Sequence, residues 1–536
     1  MTTSFIPESA PFNEEQRAWL NGFFAGMIGL QSGVDPAVAA GLAGVTPGTL
    51  PTPQAEVEEE DFPWHDAALP IVDRLEMADG KPLNRKLMAA MAQLDCGTCG
   101  YVCQTYAEAI ASGEESSLTL CTPGGKETSK AIKRLIKESD EPTGEKSAGA
   151  TNGTANGQST DNDSGTYSRK NPYSAKLVES RPLNGDGSAK DTRHVVIDLD
   201  DSGIQYGVGD ALGVYPSNCE ELTAEIIRAI GADPKLAIET PQGPKSLHAA
   251  LSENYCLKEP SDELLELAIS RVSDKAVLSQ LQQMLEDGTD EGVDILDVLQ
   301  LAGEIRVSAT EFVDTLAPIT PRLYSIASSQ RKAGKEVHLT VGKVAYDRGG
   351  RQRKGVASTM LADRLSAGGA VSVFVHPNHG GFTVPSDPDK PMIMVGPGTG
   401  IAPFLAFLQE RQATAAKGKN WLFFGDQHRS TDFLYESELQ HYSDSGLLTR
   451  LDTAFSRDGE NKVYVQDRMR EHASELWRWI DAGAHFYVCG DASRMAKDVD
   501  RMLKTIIAEQ SSVSAEEAAA YVASLAKQQR YVRDVY

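Results

Sequence analysis

From Lys390 to the C-terminus, the apolar runs "PMIMVGPG", "NWLFFGDQ", "LLTRLDTAF" and "HFYVCGDA" alternate with amphipathic stretches of helical period. No other feature restricts the fold as much. Short runs that are apolar on both faces need cover on both sides, and intervening helices supply it when the strands run parallel. The pattern predicts an α/β domain over residues 389–536, a parallel sheet with helices on both faces. In "PMIMVGPGTGIAPFLAFLQE" a buried strand runs into Gly396, Gly398 and Gly400 and then into a helix. Glycines there let backbone N–H groups approach a diphosphate at the positive end of the helix. The same turn would also serve as a plain tight connection.

Residues 169–388 follow a different rule. "RHVVIDLDDSGIQYGVGDALGVYPSN" alternates apolar and polar residues around Gly and Asp turns, which predicts an antiparallel sheet or barrel. A helical stretch follows at about 220–316, with amphipathic periods such as "DELLELAISRV" and "VLSQLQQML". Short strands return at "RLYSIASS", "EVHLTVGKVAY" and "AVSVFVH", giving a barrel with a helical insertion. On "RLYSIASS" the two-residue period sends Arg322 and Tyr324 to one face and Ser325 to the other. A cation could then meet a phosphate while an aromatic ring covers a flat cofactor. "KGVAST" offers backbone donors and hydroxyls from Gly355 to Thr359 at a helix start, a second phosphate cradle. Two cradles suggest two nucleotides.

Between residues 140 and 168 the composition collapses to Gly, Ser, Thr, Asn and Asp without a large apolar residue, a flexible tether. Ahead of it, a small α-rich module at 67–139 holds Cys96, Cys99, Cys103 and Cys121, four of the seven cysteines in the chain. Residues 51–66 read as a linker rich in proline and acid. Residues 1–50 carry Trp19, Leu20, Phe23, Phe24, Met27 and Ile28 at helical spacing, an apolar face that needs its own domain or a second chain as partner.

No charged segment followed by an apolar stretch opens the chain, and Phe23 to Val45 is interrupted by Asp35-Pro36 and by glycines, so a signal or membrane span is not expected. The reading is cytoplasmic. In a reducing compartment clustered thiols are metal ligands or redox groups rather than staples. The spacing C-x2-C-x3-C, then seventeen residues to Cys121, suits a [4Fe-4S] cluster. Structural zinc and unligated thiols are the alternatives. With 52 Lys+Arg against 76 Asp+Glu, nucleic acid is disfavoured as a partner and basic protein surfaces are favoured.

Taken together, these motifs resemble the ferredoxin-NADP reductase-like flavoproteins, more narrowly the diflavin reductase group and, within it, the flavoprotein (alpha) subunits of NADPH-dependent sulfite reductase. The likeness is carried by "KDTRHVVIDLDDSGIQYGVGDALGVYPSN", "RLYSIASS", "MVGPGTGIAPF", "AFSRDGENKVYVQDRM", "HFYVCGDASRMAKDV" and "RYVRDVY", and covers about Ser168 to Tyr536. The N-terminal "EEQRAWLNGFFAG" is similar to a helix associated with subunit assembly in that family, which implies a possible homo-oligomer.

The resemblance implies FAD on Arg322, Leu323, Tyr324, Ser325, Thr340, Val341, Gly342, Tyr346, Gly355, Val356, Ala357 and Ser358, with Tyr536 over the flavin. It implies NADPH along Gly398 and Thr399, its 2'-phosphate near Ser456, Arg457, Lys462, Val463, Tyr464, Val465 and Gln466, with Asp498 lining the site. Hydride transfer would use Ser325, Cys489 and Asp534 as catalytic residues, and Tyr536 would swing aside as a gate. Where the family has an FMN domain this chain has the four-cysteine module, which resembles a small iron-sulfur domain. The expectation is therefore no FMN, with the cluster as the one-electron carrier between FAD and an acceptor. That acceptor would be a sirohaem sulfite reductase subunit reducing sulfite to sulfide in sulfur assimilation. The alternatives are a ferredoxin, a nitrite-reducing haemoprotein, or an inactive assembly protein.

Overall fold

The computed structural model describes residues 62, 64, 69–93, 101–115, 118–121, 124–140, 167–303, 305–378 and 380–536. The expected N-terminal helix, the linkers at 51–66 and 140–168 (apart from their few described residues), and Cys96 and Cys99 lie outside this set. The remainder from Trp64 onward forms one unit by its contacts. Among the described residues no helix is long and apolar enough to cross a membrane.

The small N-terminal module is helical. Pro70 and Pro82 precede the helices Ile71–Met77 and Leu83–Ala90, where a missing N–H costs nothing and the fixed φ directs the chain into the first turn. A third helix, Cys103–Ser112, ends on Gly113 at φ 77°, a left-handed position that favours glycine. The fourth, Gly125–Asp140, packs on the second, and Thr128 Oγ1 donates to Ala90 O at 2.8 Å. Leu87, Met88, Tyr106, Ile110 and Ile132 form its buried interior.

The next region is antiparallel. Strands β1 (Tyr173–Pro182), β2 (Thr192–Asp198) and β3 (Ala211–Tyr215) are followed by the insertion, which contains a short hairpin, β4 (Ala237–Thr240) and β5 (Gly243–Ser246). After it come β6 (Arg322–Ser325), β7 (Glu336–Gly342), the hairpin β8 (Ala345–Arg348) and β9 (Arg351–Lys354), and β10 (Ala370–His376). The sheet order is β6-β3-β10-β1-β2-β7, and a bridge between Ile326 and Leu339 brings its two ends together. Val195, Ile197, Leu212, Val214, Leu339, Val341 and Val373 fill the interior. The insertion has its own core around Leu251, Leu264, Leu299 and Phe312. Five of its helices start on Ser246, Ser261, Asp274, Asp294 and Ser308, whose side chains accept from the orphan amides of the first turn.

In the last region β11 (Met392–Val395), β12 (Asn420–Asp426), β13 (Arg450–Phe455), β14 (His485–Gly490) and β15 (Tyr531–Val535) form a sheet of order β13-β12-β11-β14-β15, parallel throughout. Buried side chains cover both faces, with Trp421, Phe423 and Phe486 on one and Leu422, Phe424 and Tyr487 on the other. The alternation of apolar runs and helices thus folds as its periodicity requires.

Candidate functional site

Open parallel sheets bind ligands beyond the carboxyl ends of their strands, and the unusual residues of this sheet are there. Gly396, Gly398 and Gly400 follow β11. Gly398 has φ 58°. A Cβ on Gly396 would lie 2.5 Å from Gly400 O, and one on Gly400 would lie 2.1 Å from Cys489 O. Only glycine fits this crossing, which places a tight 3-10 turn, Gly398–Ile401, before the helix Ala402–Ala413.

Beside that turn, register pairs Cys489 of β14 with Asp534 of β15. Ser325, from the far end of β6, donates its hydroxyl to Asp534 Oδ2 at 2.8 Å, and Cys489 Sγ donates to the same oxygen at 3.8 Å. Burial pushes the Cys489 thiol up, and the neighbouring carboxylate adds to the effect. Burial also raises Asp534, with the two hydrogen bonds opposing it. At neutral pH Cys489 is a thiol, so it is a proton donor and packing group rather than a nucleophile.

Tyr536 follows directly. Its N–H donates to Gly490 O at 3.0 Å, its carbonyl accepts from Ala492 N at 3.1 Å, and its hydroxyl sits 3.0 Å from Thr399 Oγ1. The last residue is therefore fastened at backbone and side chain, while as a whole it remains 44% exposed.

Two cavities flank it. The first, about 750 Å³, opens between the barrel and the insertion. It is lined by Arg322, Leu323, Tyr324, Ser325, Thr340, Gly342 and Tyr346, by Gly355, Val356, Ala357 and Ser358, and by Asp534 and Tyr536. All four residues of β6 thus line the cavity. Val341 differs, its side chain being fully buried in the barrel core. A Cβ at Gly355 would meet Val344 Cβ at 2.9 Å, so the backbone there approaches more closely than any side chain permits. Arg322 is held by Thr320, through its carbonyl at 2.9 Å and its hydroxyl at 2.6 Å.

The second cavity, about 1010 Å³, is lined by Gly398, Thr399, Ser456, Tyr464, Val465, Gln466 and Asp498. Arg457, Lys462 and Val463 flank these residues in sequence but do not line it. Arg457 N donates to Gln427 O at 2.9 Å, and the Lys462 side chain is exposed. The periodic reading missed Lys190, Lys343, Asp426 and Arg494, which do line it. Lys343 is paired with Asp191 at 3.1 Å and Asp363 at 2.8 Å. Lys190, Asp426 and Arg494 lie in stretches quoted above, but it is tertiary contact that brings them to one cavity. Gly342, Val344, Thr399 and Tyr536 line both cavities, so Tyr536 stands in the wall between them.

The donor sets suit the groups expected of them. Cations, hydroxyls and a close-approach glycine in a cavity of flavin-nucleotide size fit FAD, and the Gly396–Gly398–Gly400 crossing fits a diphosphate. In the small module, Cys103 opens its helix and Cys121 precedes the next, and both side chains are buried.

Residues 165–360 match a family model described as "FAD binding domain", residues 394–501 one described as "Oxidoreductase NAD-binding domain", and residues 91–123 one described as "Putative Fe-S cluster". The chain is 47% identical over 380 residues to the sulfite reductase (NADPH) flavoprotein alpha-component of Bacillus subtilis, covering 69% of this chain and 62% of that one. It is 47% identical over 372 residues to the Vibrio cholerae alpha-component, covering 69% and 60%. For the Klebsiella pneumoniae alpha-component the identity is 45% over 400 residues, covering 72% and 64%. The chain thus spans less than two thirds of the length of these relatives. The nucleotide-domain match ends at residue 501, so β15 and Tyr536 lie beyond it.

Proposed function

We infer that this chain, a relative of the sulfite reductase flavoproteins with FAD-binding and NAD-binding oxidoreductase domains, oxidises NADPH and passes the electrons through FAD and a [4Fe-4S] cluster to a sirohaem sulfite reductase subunit. The observation that carries the reading is the junction of the two cavities. Ser325, Cys489 and Asp534 meet there from three strands of two domains, and Tyr536 covers the passage.

Bound FAD would take electrons in pairs as hydride and release them singly. Arg322, Tyr324 and Gly355 to Ser358 would hold it in the first cavity, and Gly398, Thr399, Ser456, Tyr464, Gln466 and Asp498 would hold NADPH in the second. Arg457 and Lys462 would turn inward to the 2'-phosphate. Asp534 supplies negative charge where the nicotinamide becomes a cation, and Ser325 and Cys489 fix that carboxylate by donating to it. Tyr536 excludes the nicotinamide until its ring moves, a gate of the kind that often limits turnover. Cys103 and Cys121, with Cys96 and Cys99, would ligate the cluster.

The test is reconstitution. Purified chain should reduce an artificial acceptor with NADPH, and with the sirohaem subunit added it should form sulfide. Dye reduction without sulfide would leave the NADPH reductase and remove its acceptor, pointing to a ferredoxin or another haemoprotein. Absence of both activities in flavin-loaded protein would leave an inactive assembly role.

A further inference from the structure

The second cavity contains a cation with no role assigned above, Lys190. Lys190 lies in the loop between β1 and β2, part of the barrel, yet its ammonium sits at the carboxyl edge of the parallel sheet. Its Nζ donates to Asp426 Oδ1 at 2.5 Å, and both residues line the cavity. The loop is pinned in place. Gly185 N donates to Thr431 O at 2.7 Å, and Asn184 Nδ2 and Ser188 Oγ donate to the fully buried Asp432 at 2.9 and 2.5 Å. Ser188 Oγ also accepts from Lys190 N at 2.9 Å.

Asp426 is an unexpected neighbour for a phosphate turn. Its side chain is 1% exposed and its Oδ2 has no hydrogen-bond partner. A Cβ on Gly398 would lie 3.8 Å from that oxygen and 3.9 Å from Lys190 Nζ. Alone, this carboxylate would repel a diphosphate arriving at the glycines. The lysine cancels that charge and has donors to spare: an ammonium carries three N–H groups, and Asp426 is its one hydrogen-bond partner among the described residues.

We propose that Lys190 is a nucleotide-binding residue whose ammonium, held by Asp426, donates to the diphosphate of NADPH. The barrel thereby grips a ligand bound to the other domain, and nucleotide binding fixes the two domains on each other. This assignment rests on the NADPH reading above.

Calorimetric titration of the flavin-loaded full chain tests it, with two probes: NADP+, and adenosine 2'-monophosphate, which has the 2'-phosphate but no diphosphate. Lys190→Gln should weaken NADP+ by about tenfold to a hundredfold, the loss of one charge-assisted bond, and leave the monophosphate unchanged. Lys190→Gln with Asp426→Asn should bind NADP+ as weakly as Lys190→Gln alone. Recovery of wild-type affinity in that double variant would make Lys190 a mere neutraliser of Asp426 and overturn the assignment, as would equal losses for both probes or no loss of NADP+. Failure of the wild-type chain to bind NADP+ would overturn the NADPH reading, and this assignment with it.

Discussion

Ser325 and Asp534 stand 209 residues apart in the chain, in different domains, and their side chains meet in a hydrogen bond of 2.8 Å. That contact joins the edge of the barrel to the last strand of the parallel sheet, at the point where the two cavities meet. It also fixes a carboxylate in a place that water would not choose for one.

Replacing that carboxylate should separate activity from stability. Asp534→Asn should lower NADPH turnover by roughly a hundredfold, at the low end for loss of one preorganised charge-stabilising group, with little change in NADP+ affinity. Burial raises the Asp534 pKa, so the folded state binds this proton more tightly than the unfolded chain. Its contribution therefore favours folding in acid and is lost as pH rises through the folded-state value. The neutral Asn should melt higher than wild type at pH 7, with the difference shrinking as pH falls. Calorimetric scans across pH check the sign, and a lower melting temperature at neutral pH would contradict it.

The gate makes a separate prediction. Tyr536→Ser should give a stronger charge-transfer band with NADP+, better use of NADH, and a lower or unchanged NADPH turnover, because the nicotinamide could then remain on the flavin. Tyr536→Trp should behave as wild type, since the stacking surface remains. Unaltered spectra and nucleotide preference in the Ser variant would remove the gate.

Nucleotide choice should depend on two exposed residues beside the second cavity. Replacing Arg457 and Lys462 together should weaken NADPH and spare NADH, each charge-assisted bond to the 2'-phosphate contributing about 1.5–3 kcal/mol. Affinities for the two nucleotides, measured side by side, decide it. Equal losses would mean the pair does not read that phosphate.

How much of this could be read from the sequence depended on the range of the interaction. The strands "MIMV" and "WLFF" and the helices starting on Ser261 or Ser308 are set by local periodicity and capping, and they fold accordingly. The glycine turn was legible because sterics at Gly396 and Gly400 leave one residue type. By contrast "YVRDV" carries two charges in five residues, and only its parallel pairing with β14 makes it a strand. Lys190 and Asp426 are 236 residues apart, and nothing local ties them. Alternation on β6 predicts Arg322 and Tyr324 on one face and Ser325 on the other, yet all three line the first cavity.

A buried histidine behind the first cavity predicts acid sensitivity. His194 Nδ1 lies 3.0 Å from the Tyr435 hydroxyl, which is 2.8 Å from Thr340 Oγ1 on the cavity wall. Burial, then the charges of His338 and Arg181, push His194 down to about 3. Its neutral form favours folding fully above the unfolded value near 6.5, and that contribution, on the order of a few kcal/mol, is lost as pH falls from there toward 3. His194→Gln should flatten the acid limb of a stability profile over that interval. An unchanged limb would place the acid sensitivity elsewhere.

Electrons from NADPH should reach the four-cysteine module by way of FAD. Anaerobic addition of NADPH to the flavin-loaded, iron-containing chain, followed by electron paramagnetic resonance, tests it most directly. Flavin bleaching is expected together with the signal of a reduced iron-sulfur cluster. In Cys121→Ser the bleaching should persist and the cluster signal vanish. A flavin that bleaches beside a cluster that is never reduced, or a module that holds zinc, would contradict it.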